Sequence, residues 1–412
     1  MITAMADAAS PSRRVALIAL VAALAIACQP SGSPAPSLSA GASASSQASA
    51  AASPTPTPGP PNIVWTNQTF AGTVTAVGAD QGQFVAVGGT PAGLSAWTSA
   101  DGAAWTAHSV PTPTAAQLGL DPIFGAPQPD PSMMGRMARF DDTLLSFGTY
   151  FGPIDFLRPV GWRTTDVITW EFVESTNAFF TGGYGVMDLV GSDQELVALN
   201  RGFADFQGGT WRWTPATSWV QTTPGTGNFQ NSGANINDAV WADGLFVAVG
   251  HRNVGSMATS WVSTDGQSWA ESPAAPALAG GIMRSVAGAP GGGFVAVGDV
   301  AGSPTAWTSA DGLTWSSVAL LGGGGTAVHG LVALDSGLLA IGEAGAGMLT
   351  WTSADGTTWL PGPVLAGTVV RHEYEQGGGE TLAVNGDTVA LFVRTGVDPT
   401  FQTVLWLGQV QP

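Results

Sequence analysis

Residues 84–105 read FVAVGGTPAGLSAWTSADGAAW, and this stretch decides the fold. An apolar run, Phe84 to Gly88, precedes two tryptophans, Trp97 and Trp105, that are eight residues apart. The segment between them contains Ser99-Ala100-Asp101-Gly102. Ser and Asp oxygens accept backbone N–H groups in tight turns, and Gly permits a positive φ. Two apolar flanks around such a turn predict a β-hairpin.

The same spacing recurs along the chain, which indicates an internal repeat. Six pairs of tryptophans lie eight residues apart: Trp97/Trp105, Trp162/Trp170, Trp211/Trp219, Trp261/Trp269, Trp307/Trp315 and Trp351/Trp359. Trp406, close to the C-terminus, matches a first member of such a pair, and Trp65 matches a second member. The chain therefore has seven pairs, one of them divided between its two ends.

Each tryptophan pair follows a run like the one at Phe84, which itself follows a turn and another short apolar run. Four strands per repeat is the composition of a β-propeller blade. We therefore predict an all-β fold for residues 62–412, a seven-bladed β-propeller of four-stranded antiparallel blades. The divided pair predicts that the N-terminal strand closes the last blade.

The turns between the tryptophans resemble the Asp-box of sialidase-type (BNR-repeat) propellers, whose pattern is Ser-x-Asp-x-Gly-x-Thr-Trp. Here the glycine follows the aspartate directly, as in Ser309-Ala310-Asp311-Gly312, so the loop is one residue shorter. In that family the box is a structural turn on the face away from the ligand site. The resemblance therefore implies structural roles for the turn aspartates, which are Asp101, Asp166, Asp265, Asp311 and Asp355.

The N-terminal sequence resembles a bacterial lipoprotein signal. Arg13-Arg14 precedes an uncharged apolar run, residues 15–27, that is too short to cross a bilayer and suits a signal-peptide core. Cys28, the only cysteine in the chain, follows directly. The resemblance implies cleavage before Cys28 and acylation at that residue, and several acyl chains make a stable anchor. We therefore expect residues 1–27 to be a signal peptide and the protein to be extracytoplasmic and lipid-anchored to the cell membrane.

Residues 28–61 contain, after the lipidated cysteine, little but Ser, Ala, Pro, Gly and Thr. A segment of this composition cannot bury enough apolar surface to offset the conformational entropy lost on folding. We therefore expect a disordered tether between the anchor and the propeller.

The composition argues against several function classes. The chain has 12 Lys+Arg against 29 Asp+Glu and a net charge of −17, whereas nucleic-acid binding requires a clustered basic surface. Four scattered histidines and a single cysteine committed to lipid argue against a transition-metal site. No Gly-rich phosphate loop opens a helix. We expect no metal, no cofactor, no nucleic-acid partner and a monomeric protein.

The innermost strand of each blade is expected to begin at the mouth of the central channel. Polar residues just before the apolar core of each such strand form a predicted ring: Thr75, Arg136, Asp188, Asp238, Arg284, His329 and Glu380. This ring favours either a site for a small polar ligand or a hydrated channel whose charges neutralise one another. Aromatic residues in the loops of the same face, Tyr150 and Tyr184 among them, either stack on sugar rings, anchor a protein partner or pack their own loops.

Residues 371–375, Arg-His-Glu-Tyr-Glu, form the most reactive-looking segment. The family resemblance implies that a sialidase would need three arginines, a tyrosine nucleophile with a glutamate partner, and an acidic aspartate. The residues nearest to these roles are Tyr374, Glu375, Glu380, Arg284 and Arg371. The family has its first arginine before the first Asp-box, whereas residues 66–100 contain none, and sialidases have six blades. No other carboxylate pair stands out for glycosidase chemistry.

These observations favour a surface-tethered propeller that binds a glycan, a small polar ligand or a protein partner without catalysis. The ligand candidates are Arg136, Asp188, Asp238, Arg284, His329, Arg371, Tyr374 and Glu380. One alternative is an extracytoplasmic glycoside hydrolase of the sialidase type, with Tyr374 and Glu375 as its catalytic candidates. Another is an assembly factor for a membrane complex.

Overall fold

The computed structural model describes residues 59–118, 120, 127–152, 156–173, 186–200, 210–214, 218–221, 234–252, 257–320, 328–345, 347–369, 381–396 and 401–412. The predicted signal peptide, Cys28 and most of the predicted tether lie outside the described residues. Four candidate site residues do so too: Arg371, Tyr374, Glu375 and Glu380. Within the described ranges, no helix has the length and hydropathy needed to cross a membrane.

The described strands form seven antiparallel sheets, each of which is one blade of a β-propeller. The first strand, β1 (Asn62–Phe70), belongs to the last blade. Blade 1 contains β2 (Thr73–Asp80), β3 (Gln83–Thr90), β4 (Gly93–Ser99) and β5 (Thr106–Ser109). Blade 2 contains β6 (Met137–Phe140), β7 (Thr143–Gly152), β8 (Phe156–Thr164) and β9 (Glu171–Val173). Blade 3 contains β10 (Val186–Gly191), β11 (Leu196–Asn200), β12 (Thr210–Thr214) and β13 (Ser218–Gln221).

The remaining blades repeat this order. Blade 4 contains β14 (Ala234–Ala242), β15 (Leu245–Arg252), β16 (Met257–Ser263) and β17 (Ala270–Glu271). Blade 5 contains β18 (Gly281–Gly288), β19 (Phe294–Val300), β20 (Ser303–Ser309) and β21 (Ser316–Ala319). Blade 6 contains β22 (Val328–Leu334), β23 (Gly337–Ala344), β24 (Gly347–Ser353) and β25 (Leu360–Pro361), with β26 (Leu365–Ala366) also on β24.

Blade 7 contains the two ends of the propeller. It is built from β28 (Leu382–Asn385), β29 (Thr388–Thr395), β30 (Gln402–Gln411) and β1, and β27 (Thr368–Val369) adds a short pairing to β29. Strand β1 pairs with β30 along its whole length, from Asn62 opposite Gln411 to Phe70 opposite Thr403. The innermost strands β2, β6, β10, β14, β18, β22 and β28 contact one another in that order, and β28 contacts β2 again. The predicted fold, with its divided last blade, is confirmed.

The repeated sequence pattern has a direct packing cause. In blade 1, the small Ala86 of the second strand lies opposite Trp97 of the third, and Ala296 lies opposite Trp307 in the same way in blade 5. A small residue at that point leaves room for the indole ring, which is buried in both blades. Seven hydrophobic clusters result, and each is shared between two adjacent blades around the ring. Stability therefore comes from burial between blades.

In blades 1, 4, 5 and 6, a glycine of the second strand pairs with the residue just before a bulge in the innermost strand. Gly88 pairs with Val74, and the register shifts between Val74 and Ala76, so that Thr75 is the bulged residue. A Cβ atom at Gly88 would lie 2.0 Å from the carbonyl oxygen of Thr73, which no side chain tolerates. The same closeness recurs at Gly250 in blade 4. The bulge turns the following residues toward the channel.

Candidate functional site

The innermost strands of blades 1 to 6 enclose a cavity of about 230 Å³ at the channel. In blades 1, 3, 4 and 5, the first two residues after the bulge line this cavity, and blades 2 and 6 contribute residues at matching positions of their innermost strands. The lining residues are Ala76, Val77, Arg136, Met137, Asp188, Leu189, Asp238, Ala239, Ser285, Val286 and Leu331. Three of the predicted ligand candidates, Arg136, Asp188 and Asp238, are therefore together in one cavity. They come from blades 2, 3 and 4.

Arg136 joins the two carboxyl groups. Its NH1 atom lies 3.4 Å from Oδ1 of Asp188 and 3.9 Å from Oδ1 of Asp238. Its NH2 atom donates to the carbonyl oxygen of Asn237 at 3.5 Å. The side chains of Arg136 and Asp188 are each 8% exposed and that of Asp238 is 18% exposed. One guanidinium group and two carboxyl groups therefore share a site largely removed from water.

Asp238 is held by the neighbouring blade. Its Oδ2 atom accepts hydrogen bonds from Ser285 Oγ at 2.6 Å and from the backbone N–H of Val286 at 2.9 Å. Ser285 Oγ in turn accepts the backbone N–H of Leu331 from blade 6 at 3.1 Å. This chain of hydrogen bonds fixes the orientation of Asp238 and leaves its Oδ1 on the side of Arg136.

Asp188 is less completely satisfied. Its Oδ1 atom accepts the N–H of Leu189 at 2.8 Å, whereas its buried Oδ2 atom accepts no hydrogen bond from a described donor. Burial, helped by the nearby charge of Asp238, raises the pKa of Asp188 to about 7 against the opposing charge of Arg136. Burial also raises the pKa of Asp238, and the charge of Arg136, followed by the hydrogen bonds from Ser285 and Val286, opposes this rise. One proton is therefore expected on this carboxyl pair near neutral pH, because burial disfavours two carboxylates in one site.

The predicted ring is divided between two successive positions of the innermost strands. Thr75, Arg284 and His329 are the bulged residues of their strands, and they are absent from the lining of the cavity. Asp188 and Asp238 follow the bulges, so the predicted ring combines residues from two layers of the innermost strands. The structure therefore does not bring Arg284 and His329 to the site of Arg136.

Two of the residues at the bulges, Arg284 and His329, have partners within their own blades. Arg284 Nε donates to Asp299 Oδ2 at 3.0 Å. His329 Nε2 lies 3.6 Å from Glu343 Oε2. Thr75 donates instead to the carbonyl oxygen of Met134 at 2.6 Å, which joins blade 1 to the segment before blade 2. Tyr150 is buried in the hydrophobic cluster between blades 1 and 2. Of the three roles considered for the loop aromatics, Tyr150 therefore has the packing role.

Sequence reasoning missed two features of the site. One is Ser285, which links Asp238 to blade 6. The predicted ring contains its neighbour Arg284 instead, although Ser285 has the same position after the bulge as Asp238. The carboxylate pair of Asp188 and Asp238 was missed as well, because the two residues lie on different repeats. Alignment of the repeats on the second-strand residue that pairs just before each bulge is the signal that finds both; this residue is Asn200 in blade 3, Gly250 in blade 4 and Gly298 in blade 5.

The turn aspartates lie at the other ends of the blades. Asp311 Oδ1 accepts the N–H groups of Leu313 and Thr314 and the hydroxyl of Ser309. These hydrogen bonds lower the pKa of Asp311. Trp315 Nε1 then donates to the carbonyl oxygen of Gly312 at 3.0 Å, which closes the turn on the second tryptophan. Backbone hydrogen bonds of the same kind are made by Asp101, Asp166, Asp265 and Asp355.

A metal site has no support in the described part of the chain, because no group of three or more His, Cys, Asp and Glu side chains there is close enough to hold an ion. The cavity instead offers one guanidinium group, carboxyl oxygens and a serine hydroxyl. Such a set can bind hydrogen-bond donors and cations, and it can hold or release one proton.

No known protein family and no curated protein matches this sequence. Among solved structures, the chain is similar to a protein assigned as a 6-phosphogluconolactonase from Bacteroides uniformis, with 10% identity over 78% of this chain and 95% of that one and a TM-score of 0.50. It is also similar to the polysaccharide lyase Uly1, with 10% identity, 82% and 90% coverage and a TM-score of 0.47. The sialidase of Trypanosoma rangeli matches at 10% identity over 67% of this chain and 54% of that one, with a TM-score of 0.42. At 10% identity the first likeness shows the fold alone, and the two lower TM-scores add nothing to it.

Proposed function

We propose that this protein is a membrane-anchored, extracytoplasmic β-propeller that binds a small polar ligand in its central cavity and does no chemistry on it. The ligand is either free, a unit of a glycan, or a side chain of a protein partner. The anchor in this proposal is Cys28, and the binding residues are Arg136, Asp188 and Asp238.

The observation that carries the proposal is the buried Oδ2 atom of Asp188, which accepts no hydrogen bond from a described donor. A buried acceptor without a donor costs free energy, on the order of 1–3 kcal/mol. Asp188 lines a cavity of about 230 Å³, together with Arg136 and Asp238. A ligand that brings an N–H or O–H group to this oxygen would recover that cost, whereas a purely structural ion pair would leave no acceptor open.

The test is binding measured by saturation-transfer difference NMR on the full-length chain in detergent, with a panel of monosaccharides, amino sugars and amino acids. Asp188→Asn is expected to weaken binding of any positive compound at least about tenfold, since each 1.4 kcal/mol of interaction is worth a factor of ten. Asp335→Asn removes the same charge from an exposed turn and is expected to leave binding unchanged. Equal binding by both variants would place the ligand elsewhere and defeat the proposal.

A glycoside hydrolase is the second candidate, and one observation favours it. Asp188 and Asp238 are two carboxyl groups in one cavity, and the pKa of Asp188 is raised to about 7. Retaining and inverting glycosidases use such pairs, one partner protonated and the other ionised. Arg136 between the carboxyl groups, and the use of Asp238 Oδ2 by Ser285 and Val286, favour binding instead.

Aryl glycosides, including a sialoside, distinguish the two candidates. The binding proposal expects no turnover by the full-length chain. Turnover that Asp188→Asn abolishes would assign catalysis to the cavity. Turnover abolished by Tyr374→Phe or Glu375→Gln would assign it to the sialidase-type residues predicted from the sequence.

A further inference from the structure

We propose that the cavity formed by Arg136, Asp188 and Asp238 takes a small organic ammonium ion in exchange for one proton. The inference rests on the binding function proposed above and adds the charge of the ligand and the event that accompanies binding. A primary amine on a sugar or on a similarly small polar molecule is the chemical class that fits.

The first step of the argument is charge. The cavity contains one guanidinium group and two carboxyl groups, so it has a net charge of −1 when both carboxyl groups are ionised. A low-dielectric site penalises net charge strongly. Without a ligand, one proton shared by Asp188 and Asp238 makes the site neutral. With an ammonium ion in place, the same neutrality requires that this proton leave.

The second step is hydrogen bonding. An ammonium group has three N–H donors and no acceptor. Once the shared proton has left, the acceptors open to it are Oδ2 of Asp188, which accepts no hydrogen bond from a described donor, and Oδ1 of Asp238, which lies 3.9 Å from Arg136. A carboxylate or phosphate ligand is disfavoured, because the one cation it would meet in the lining already lies between two carboxyl groups.

The third step is the isolation of the carboxyl pair from other titrating groups. The other residues of the lining are apolar apart from Ser285, and they come from β2, β6, β10, β14, β18 and β22. The ionisable residues at the neighbouring bulges have partners outside the cavity: Arg284 pairs with Asp299, and His329 Nε2 lies 3.6 Å from Glu343. Proton exchange at the described lining therefore belongs to Asp188 and Asp238.

The exchange balances in both charge and atoms. Before binding, the site contains Arg136 as a cation, one carboxylate and one carboxylic acid. An R–NH3⁺ ion enters, the carboxylic acid gives its proton to solvent, and the site then contains two cations and two carboxylates. Binding therefore releases one proton where the pair is protonated. As the pH is raised toward 7, the affinity for the ammonium ion is expected to rise about tenfold per pH unit. Above pH 7 the affinity is expected to be independent of pH.

The experiment is isothermal titration calorimetry on the full-length chain in detergent with two probes, 6-amino-6-deoxyglucose and glucose. These sugars differ only in an ammonium group in place of a hydroxyl group. Titrations at pH 6 in two buffers of different ionisation enthalpy measure the protons released, and titrations at pH 8 repeat the count. We expect the amino sugar to bind at least about tenfold more tightly than glucose, with nearly one proton released at pH 6 and nearly none at pH 8.

Three results separate this inference from the binding function on which it rests. If both sugars bind equally and no proton is released, the cavity binds polar ligands but the ammonium inference is wrong. If the amino sugar does not bind, while the NMR panel finds an uncharged ligand that depends on Asp188, the inference is again wrong and the binding function stands. If no compound of either experiment binds, both are overturned.

The matched variants are Asp188→Asn and Asp335→Asn. The first removes the shared proton and is expected to abolish both proton release and the preference for the ammonium group. The second is expected to leave both unchanged. Because Asp188→Asn also alters a buried residue, its thermal unfolding is measured in parallel as a control for folding. The number of protons released by the unaltered chain tests the ammonium inference without any variant.

Discussion

Asn67 in the first strand lies directly opposite Trp406 in the last strand, in the same register that places Ala107 opposite Trp97 in blade 1. The residue before Thr66 is Trp65, just as Trp105 precedes Thr106. The divided tryptophan pair therefore has the geometry of a continuous one. Because this pairing is the closure of the ring, the strand at Asn62–Phe70 supports blades at both ends of the chain.

Deletion of residues 62–70 is expected to destabilise the whole propeller. The deletion removes the outer strand of blade 7, exposes the unpaired edge of β30 and opens the interface with blade 1. Thermal unfolding followed by circular dichroism should show a large fall in the midpoint or the loss of a cooperative transition. An unchanged midpoint would show that the ring does not depend on the divided blade.

A single substitution tests the same closure more gently. Phe70 packs edge-on against Trp97, Trp105 and Phe392, with ring centroids 4.9–5.7 Å apart, and it is buried. Phe70→Ala is expected to cost about 3–5 kcal/mol of unfolding free energy, the usual range for a buried phenylalanine. Val64→Ala, on the same strand but 51% exposed, is the control and should cost far less in the same urea titration.

Much of the fold could be predicted because the same local sequence pattern recurs in most repeats. Ala86 opposite Trp97 and the Asp101 turn are decided within some twenty consecutive residues, and repetition then makes the ring. The site could be predicted only in part. A β-bulge inserts one residue into most innermost strands, so Arg284 and His329 fall one position away from the layer of Asp188. No spacing within one repeat reveals contacts that form between repeats.

The turn aspartates are expected to stabilise the fold in a pH-dependent way. Backbone N–H groups of Thr169 and Ile168 lower the pKa of Asp166 to about 2, below its ordinary value of 3.8. Because the folded-state pKa is the lower one, the stabilisation is present above about pH 4 and is lost as the pH falls toward 2. Asp166→Ala should therefore lower the unfolding free energy by about 1 kcal/mol at pH 7.

Urea titrations of the unaltered chain and Asp166→Ala at pH 7, 4 and 2.5 measure this effect. The difference between the two should shrink steadily as the pH is lowered. Asp193→Ala, at an exposed aspartate in another turn, is the control and should show no such dependence. A difference that stays constant down to pH 2.5 would mean that the charge of Asp166 plays no part.

Asp188 is expected to produce the opposite dependence. Its pKa in the folded protein, about 7, lies above its ordinary value of 3.8, because burial disfavours the carboxylate. The folded state therefore binds more protons than the unfolded state, and the unfolding free energy should fall as the pH rises from about 4 to 7. The total loss is expected to be on the order of a few kcal/mol.

Asp188→Asn removes this titration and should flatten the unfolding free energy between pH 5 and 8. Asp335→Asn should keep the slope of the unaltered chain, since Asp335 is exposed. Urea titrations at four pH values across this range are sufficient to compare the slopes. Identical slopes in all three proteins would show that the carboxyl pair is ionised throughout and would remove the basis of proton exchange.

Cys28→Ser tests the proposed lipid anchor. The apolar run before Cys28 is too short to span a bilayer, so membrane attachment is expected to come from acyl chains on that cysteine. The variant should lose incorporation of labelled palmitate and move from the detergent-extracted fraction to the soluble fraction, whereas Ser31→Ala in the same segment should do neither. Palmitate labelling is decisive because it reports the modification itself, even if an uncleaved signal segment keeps some of the variant on the membrane. Undiminished labelling of Cys28→Ser would refute the lipid anchor.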